Sequence, residues 1–198
     1  GPVGSDAVAL SMGYDLDDAG KYHGTLPWIF EVAPSEEYEG KPFEYLREHR
    51  TNWALKRLDG SQKPLTPILE QSGEALPGTD RPKYRVDYGL ITVKPVSAGW
   101  EQYDRYEGYT ALTDATDNTH VIISGCHGEA TYAATQALND ASFCETLHRE
   151  LPPETEFFQA VISVHIDSYS PETDRQGETF YLPTIGNVSL HDAVSLDV

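Results

Sequence analysis

The residues whose types best suit chemistry lie together in Gly125-Cys126-His127-Gly128-Glu129, where a thiol, an imidazole and a carboxylate fall between and beside two glycines. Three chemistries are open to this set. The amides from Gly125 to Ala130 open a helix, and unpaired N–H groups together with the helix dipole favour an anion there. That reading makes Gly125, His127, Gly128, Glu129 and Thr131 the ligand site, with a nucleotide or another small anion as ligand. The G-x-x-G spacing lacks the third glycine of the dinucleotide fingerprint and the Lys-Ser/Thr pair of a P-loop. Glu129 also competes with a phosphate for the same amides. A second chemistry is nucleophilic: Cys126 with His127 would serve a hydrolase if thiol and base came within hydrogen-bond reach. Adjacent side chains diverge in an extended chain, which counts against the pair. A third is metal binding, since Cys144 and His148 stand one helical turn apart and Cys126 and His127 complete a Cys2His2 set. The His-x-Glu of zinc deaminases is present without the Pro-Cys-x-x-Cys that follows it there. No metal is assigned, and the cofactor is left open.

Other chemistry-bearing groups are scattered. His165 and Asp167 share one face of a strand, either as a catalytic couple or, as expected, a buried hydrogen-bonded pair. Gly1, Gly4 and Ser5 make a candidate second glycine loop feeding a helix, the alternative being a frayed end. Asp15, Asp17 and Asp18 sit among glycines but lack the central glycine and closing glutamate of a calcium loop, so Tyr14 to Gly24 reads as a solvated turn. Arg47, His49, Arg50, Lys56 and Arg57 could receive an anion, although an exposed charged helix face is expected. Trp100, Tyr103, Tyr106 and Tyr109 either stack a planar ligand or pack a long loop onto the core.

The elements that must position these groups follow from period and punctuation. Thr119 to Leu138 reads as a β-branched strand, a glycine turn and an alanine-rich helix. Asn139, Asp140 and Ser142 recap the chain into a second helix over Ala141 to Leu151, with Phe143, Leu147 and Leu151 on one stripe. Strands are expected at Trp28 to Val32, Arg85 to Val96 and Glu156 to Asp167, and an edge strand at Glu178 to Ile185 before a weakly structured end. Pro42 to Leu58 has near-helical spacing. Ser61 to Lys83 is a proline-rich loop with one helical turn at Ile68 to Gln71, and Ser168 to Gln176 a polar turn. Val121 to Ser124 and Val161 to Ile166 bracket the helix pair as one crossover unit, which predicts parallel pairing. The fold class expected is α/β: one Rossmann-like domain over residues 1 to 198, with a mixed, mainly parallel sheet flanked by helices.

Acidic residues outnumber basic ones 32 to 14, for a formal charge of −18. Such a surface repels phosphate backbones and anionic lipid, so nucleic-acid and membrane partners are not expected. It also suits a high-salt habitat, where counterions screen self-repulsion. Two cysteines in 198 residues indicate a reducing interior, and with neither a long apolar run nor a secretory leader the expected location is the cytoplasm.

Two resemblances carry further expectations. Cys126-His127-Gly128-Glu129 resembles the CHGE stretch of caspase-like peptidases of the CHAT type, in which the histidine after a strand activates a cysteine. Those enzymes bring their cysteine from the end of the next core strand, and Glu156 to Asp167 contains none. Asp87-Tyr88-Gly89-Leu90-Ile91 with Ile123-Ser124-Gly125-Cys126-His127-Gly128 is similar to an uncharacterised prokaryotic α/β module carrying DYGLI and GCHG motifs, sometimes after a GGP loop to which Gly1-Pro2 would correspond. Where that pattern has a third glycine this chain has Ala130. The resemblance spans about a third of the chain and implies a Rossmann-like fold without an activity. Together these readings point to a ligand-binding or sensor domain, then a structural or protein-interaction domain with a protein partner or fused effector, then a hydrolase.

Overall fold

A computed structural model of the chain describes residues 14–16, 22–24, 26–32, 53–70, 75–79, 81–95 and 119–196. Nine strands and two helices lie among them: β1 (Tyr14–Leu16), β2 (Tyr22–Gly24), β3 (Trp28–Val32), β4 (Trp53–Arg57), β5 (Ile68–Leu69), β6 (Tyr84–Pro95), β7 (Thr119–Gly125), α1 (Gly128–Ala137), α2 (Ala141–Glu150), β8 (Phe158–Thr173) and β9 (Thr179–Ser195). β6 is the central strand of a five-stranded sheet. Its Val86 to Val93 stretch pairs with β8 on one edge, while β5 and β7 share the other, and β9 lies outside β8.

Every pairing among the described strands is antiparallel, which overturns the α/β class and the mainly parallel, Rossmann-like sheet expected from the sequence. The crossover expectation fails in an instructive way. β7 and β8 do run in the same direction, because each is antiparallel to β6, but β6 stands between them. Direct parallel pairing is thereby excluded.

Alternation along β6 builds two apolar layers. Ile91 and Val93 join Ala160, Ile162 and Val164 of β8 under the two helices. Leu90 and Val161 point the other way, against Trp28, Ile29, Phe30 and Leu55 of the β3–β4 hairpin. The α1 stripe is all alanine, with Ala130, Ala133 and Ala134 fully buried, so the helix axis sits close to the sheet. Phe143 and Leu147 from α2, with Leu151 at its C-cap, supply the bulk, each contributing about 1.5–3 kcal/mol by burial. The α2 start is as read: Asp140 accepts a hydrogen bond from the Ser142 amide at 2.8 Å.

Other expectations are corrected. Trp53–Arg57 belongs to a strand, not to a helix, since Leu55 pairs with Phe30 and bridges to Leu65, and Leu58 begins a turn; residues 42–52 of the expected helix lie outside the described residues. Ile68–Leu69 is a strand instead of a helical turn, and Tyr14 to Gly24 contains an antiparallel hairpin. The polar stretch after Asp167 stays in β8 to Thr173, and the chain end returns as the long β9. The turn between them closes at Gly177, whose φ of 86° is a conformation that suits glycine. Residues 1–13 and 97–118, with the aromatic cluster, are outside the described residues.

Lys94, near the end of β6, is 1% exposed. Burial pushes its ammonium down to about 8 from an ordinary 10.5. Between those values the unfolded chain binds the proton and the folded chain does not, so this group adds stability as pH rises. Above 10 the trend opposes it, because burial raises the Tyr84 and Tyr169 phenols and keeps them protonated in the fold. Lys94→Met removes this titration. Its stability in urea unfolding, relative to the parent, should fall by on the order of 2 kcal/mol between roughly pH 8 and 10. A difference that does not change with pH would show that Lys94 keeps its charge in the fold.

Candidate functional site

β7 delivers the glycine turn to the sheet margin, and Gly125 is fixed there by close approach. A Cβ at this position would stand 2.4 Å from the His127 carbonyl oxygen, 2.6 Å from the Thr131 amide and 2.8 Å from Ala130 Cβ. The Cys126 N–H donates to the Tyr88 carbonyl at 2.8 Å, tying the turn to β6. His127 is the extended N-cap residue of α1, yet its side chain makes no cap hydrogen bond.

The cap comes instead from Asp87, which projects from β6. Its Oδ2 accepts the Ala130 N–H at 3.0 Å, while Oδ1 accepts the Tyr88 N–H at 2.9 Å and faces His127 Nδ1 at 3.2 Å. The helix start is therefore not bare: a carboxylate of the protein occupies the Ala130 amide. Asp87 in turn fixes the imidazole. With Nδ1 donating to Asp87, Nε2 is the ring atom left to meet a ligand. Tyr84 stacks on that ring at a centroid separation of 4.0 Å and an interplanar angle of 20°. A register shift where β5 meets β6 makes this stack: Ile68 opposes Val86 and Leu69 opposes Tyr84. The extra residue, Arg85, turns Tyr84 onto the helix side.

Glu129, in the first turn of α1, is buried and does not face outward. Its Oε1 takes the Arg81 guanidinium and the Tyr169 hydroxyl, the latter at 3.2 Å. Glu129 Oε2 has no hydrogen-bond partner among the described residues. Tyr169 Oη also accepts the Tyr84 N–H at 3.1 Å, which links β8 to β6 beside the site. Arg81 keeps 39% of its side chain exposed and His127 17%. Gly128 is exposed, and a Cβ there would meet only Arg81 Nη2, at 3.9 Å. Thr131 donates to the His127 carbonyl at 3.3 Å and so braces the turn.

The structure thus gathers Gly125, His127, Gly128, Glu129 and Thr131 at one turn, with Gly125 and Glu129 internal and Gly128 open. Gly4 and Ser5 lie outside the described residues. Asp87, Arg81, Tyr84 and Tyr169 complete the array; none was expected as a site residue, and Asp87 entered only as the first residue of the DYGLI motif. For Asp87 a signal existed: a carboxylate inside a strand that is apolar on both faces must find donors.

The alternative chemistries are not assembled. Cys126 packs with Trp28, Phe30 and Leu90 on the hairpin side of the sheet, and burial pushes its thiol well above the ordinary range, so it is no nucleophile for His127. Cys144 donates to the Leu138 carbonyl at 3.5 Å, remote from Cys126. Among the described residues no three His, Cys, Asp or Glu side chains are grouped to hold a metal. His165 and Asp167 are exposed, correcting the expected buried pair. A bulge at Asp167 breaks the alternation and sets its carboxylate against Gly186, where a Cβ would lie 2.2 Å from Oδ1. Among the described residues no helix is long and apolar enough to cross a membrane. No family model, curated protein or solved structure matches the chain.

Proposed function

We propose that the chain is a ligand-binding or sensor domain that receives a small anionic molecule, a nucleotide among the candidates, at the open side of the turn. The observation that carries this reading is the Gly128 surface, flanked by the exposed part of Arg81 and by an imidazole that Asp87 orients. Asp87 and Glu129 are each matched internally, the first by Ala130 and His127 and the second by Arg81. Arg81 is the exposed cation beside Gly128, on a protein whose formal net charge is −18. The cytoplasm is the proposed location, in keeping with cysteines that are both free thiols.

Gly128→Asp tests the site without disturbing the fold, because the position is open and an acidic residue in the first helical turn is favourable. Phosphate, AMP, ADP and ATP at millimolar concentration are the probes. At about one hundred times its Kd a ligand raises stability by about 2.7 kcal/mol. The parent should show such a rise in thermal midpoint and Gly128→Asp should not. If no probe moves the parent, the turn is a structural joint and the alternative role as a structural or protein-interaction domain stands. An equal rise in both proteins would put the anion elsewhere.

A further inference from the structure

A groove of about 610 Å³ runs between α2 and β9, away from the glycine turn. Six consecutive residues of β9, Ile185 to Leu190, line it. Ile185, Val188 and Leu190 pack toward the helix-side core while Gly186, Asn187 and Ser189 are exposed, so the cleft borders residues from both faces of the strand. The inner edge belongs to β8, and among the described residues β9 pairs with no other strand. Phe143 from α2 and Val188 and Leu190 from β9 bring apolar surface to it, and Ser142 and Asn187 are among its polar lining residues. Asp140 is the charged residue in its lining, and none of the lining residues is basic.

We infer that this groove binds an extended, lysine- or arginine-bearing peptide segment of another protein, which adds to β9 as a further strand. Backbone N–H and C=O groups along the outer edge supply the pairing, and alternate side chains of the guest reach Phe143, Val188 and Leu190. The register limits how much can pair. Ladder irregularities fall at Gly186 and at His191, leaving Asn187–Leu190 as one regular stretch between them. Such breaks blunt an edge against indefinite sheet growth while keeping a short window open. The charge selects the guest: a second copy of this chain carries the same −18 and is repelled, whereas a basic peptide is drawn to the acidic surface and to Asp140.

A phage-displayed library of random dodecapeptides panned on the whole chain is the test. Enriched peptides should be extended and basic, and should slow hydrogen exchange at the Asn187 to Leu190 amides. Their affinity should fall at least tenfold for Ser142→Arg and for Ser189→Lys, both at exposed positions where folding is retained. Methylating alternate peptide nitrogens should abolish binding in one phase and spare it in the other. Absence of enrichment, equal binding to both variants, or indifference to N-methylation would overturn the proposal. A concentration-dependent dimer that protects the same amides would make the occupant a second copy and overturn it as well. None of these readouts depends on the glycine turn, so they stand apart from the anion test.

Discussion

Gly125→Ala is expected to destabilise the protein by about 3 kcal/mol, the upper part of the range for forcing extra volume into a packed site. The three atoms that a methyl would meet are not side-chain tips that can swing away. The nearest, at 2.4 Å and 2.6 Å, are the His127 carbonyl and the Thr131 amide, and both are backbone of the first turn of α1. Relief requires the helix to move as a body, which opens the Asp87–Ala130 hydrogen bond and lifts the alanine stripe from the sheet. In a chain of this length the thermal midpoint should fall by roughly 6–12 °C. Gly128→Ala, three residues on, meets only Arg81 Nη2 at an ordinary contact distance of 3.9 Å and should be neutral or slightly stabilising, since alanine costs less backbone entropy than glycine. Equal effects from the two would mean that the close packing at Gly125 is absent in solution.

Gln159→Leu should cost a similar amount for a different reason. Its carboxamide accepts the Trp28 N–H at 2.8 Å and donates to the Trp28 carbonyl at 3.0 Å, and it reaches Thr92 Oγ1 at 3.2 Å. The buried side chain thereby acts as a piece of backbone, completing the start of β3 where a neighbouring strand would otherwise pair. Leucine has nearly the same volume but leaves an N–H and a C=O without partners in an apolar layer, at about 1–3 kcal/mol each. The total expected is about 3 kcal/mol, read from urea unfolding at constant m-value, with hydrogen exchange quickened through β3 and β4. Thr92→Val, which removes only the third contact, should cost under about 1 kcal/mol. A Gln159→Leu protein of unchanged midpoint would show that water satisfies Trp28 and that the carboxamide is dispensable.

How much of this was legible depends on the range of the interaction involved. The strand, glycine turn and helix from Thr119 to Ala137 were readable because β-branched residues, then glycines, then alanines follow one another locally. The α2 stripe of Phe143, Leu147 and Leu151 was readable for the same reason. The direction of pairing was not. β6 and β8 carry apolar residues on both faces, a pattern common to parallel sheets under two helix layers. Here the second cover is a β-hairpin that brings Trp28, Phe30 and Leu55, and sequence period cannot distinguish these two covers. Trp53 to Arg57 misled because five residues fit a helical stripe as well as a strand, and Leu65, ten positions on, decides between them. At the site, His127 and Glu129 were local. Tyr84 arrives through a bulge, Arg81 through a loop and Tyr169 through a register 85 residues further along, none of which leaves a nearby trace.

The placement of β6 between two strands that run alike bears on the order of assembly. Neighbouring strands lie about 4.8 Å apart, so β7 and β8 stand about 10 Å from each other with a slot one strand wide. A fragment beginning at Thr119 would hold the helices and both walls of that slot with nothing in it. It should stay loosely packed until a synthetic Tyr84–Pro95 peptide docks, much as a key blank waits in an open lock. On the ribosome the difficulty does not arise: β6 is made before β7 and β8, and each of these finds its template already waiting.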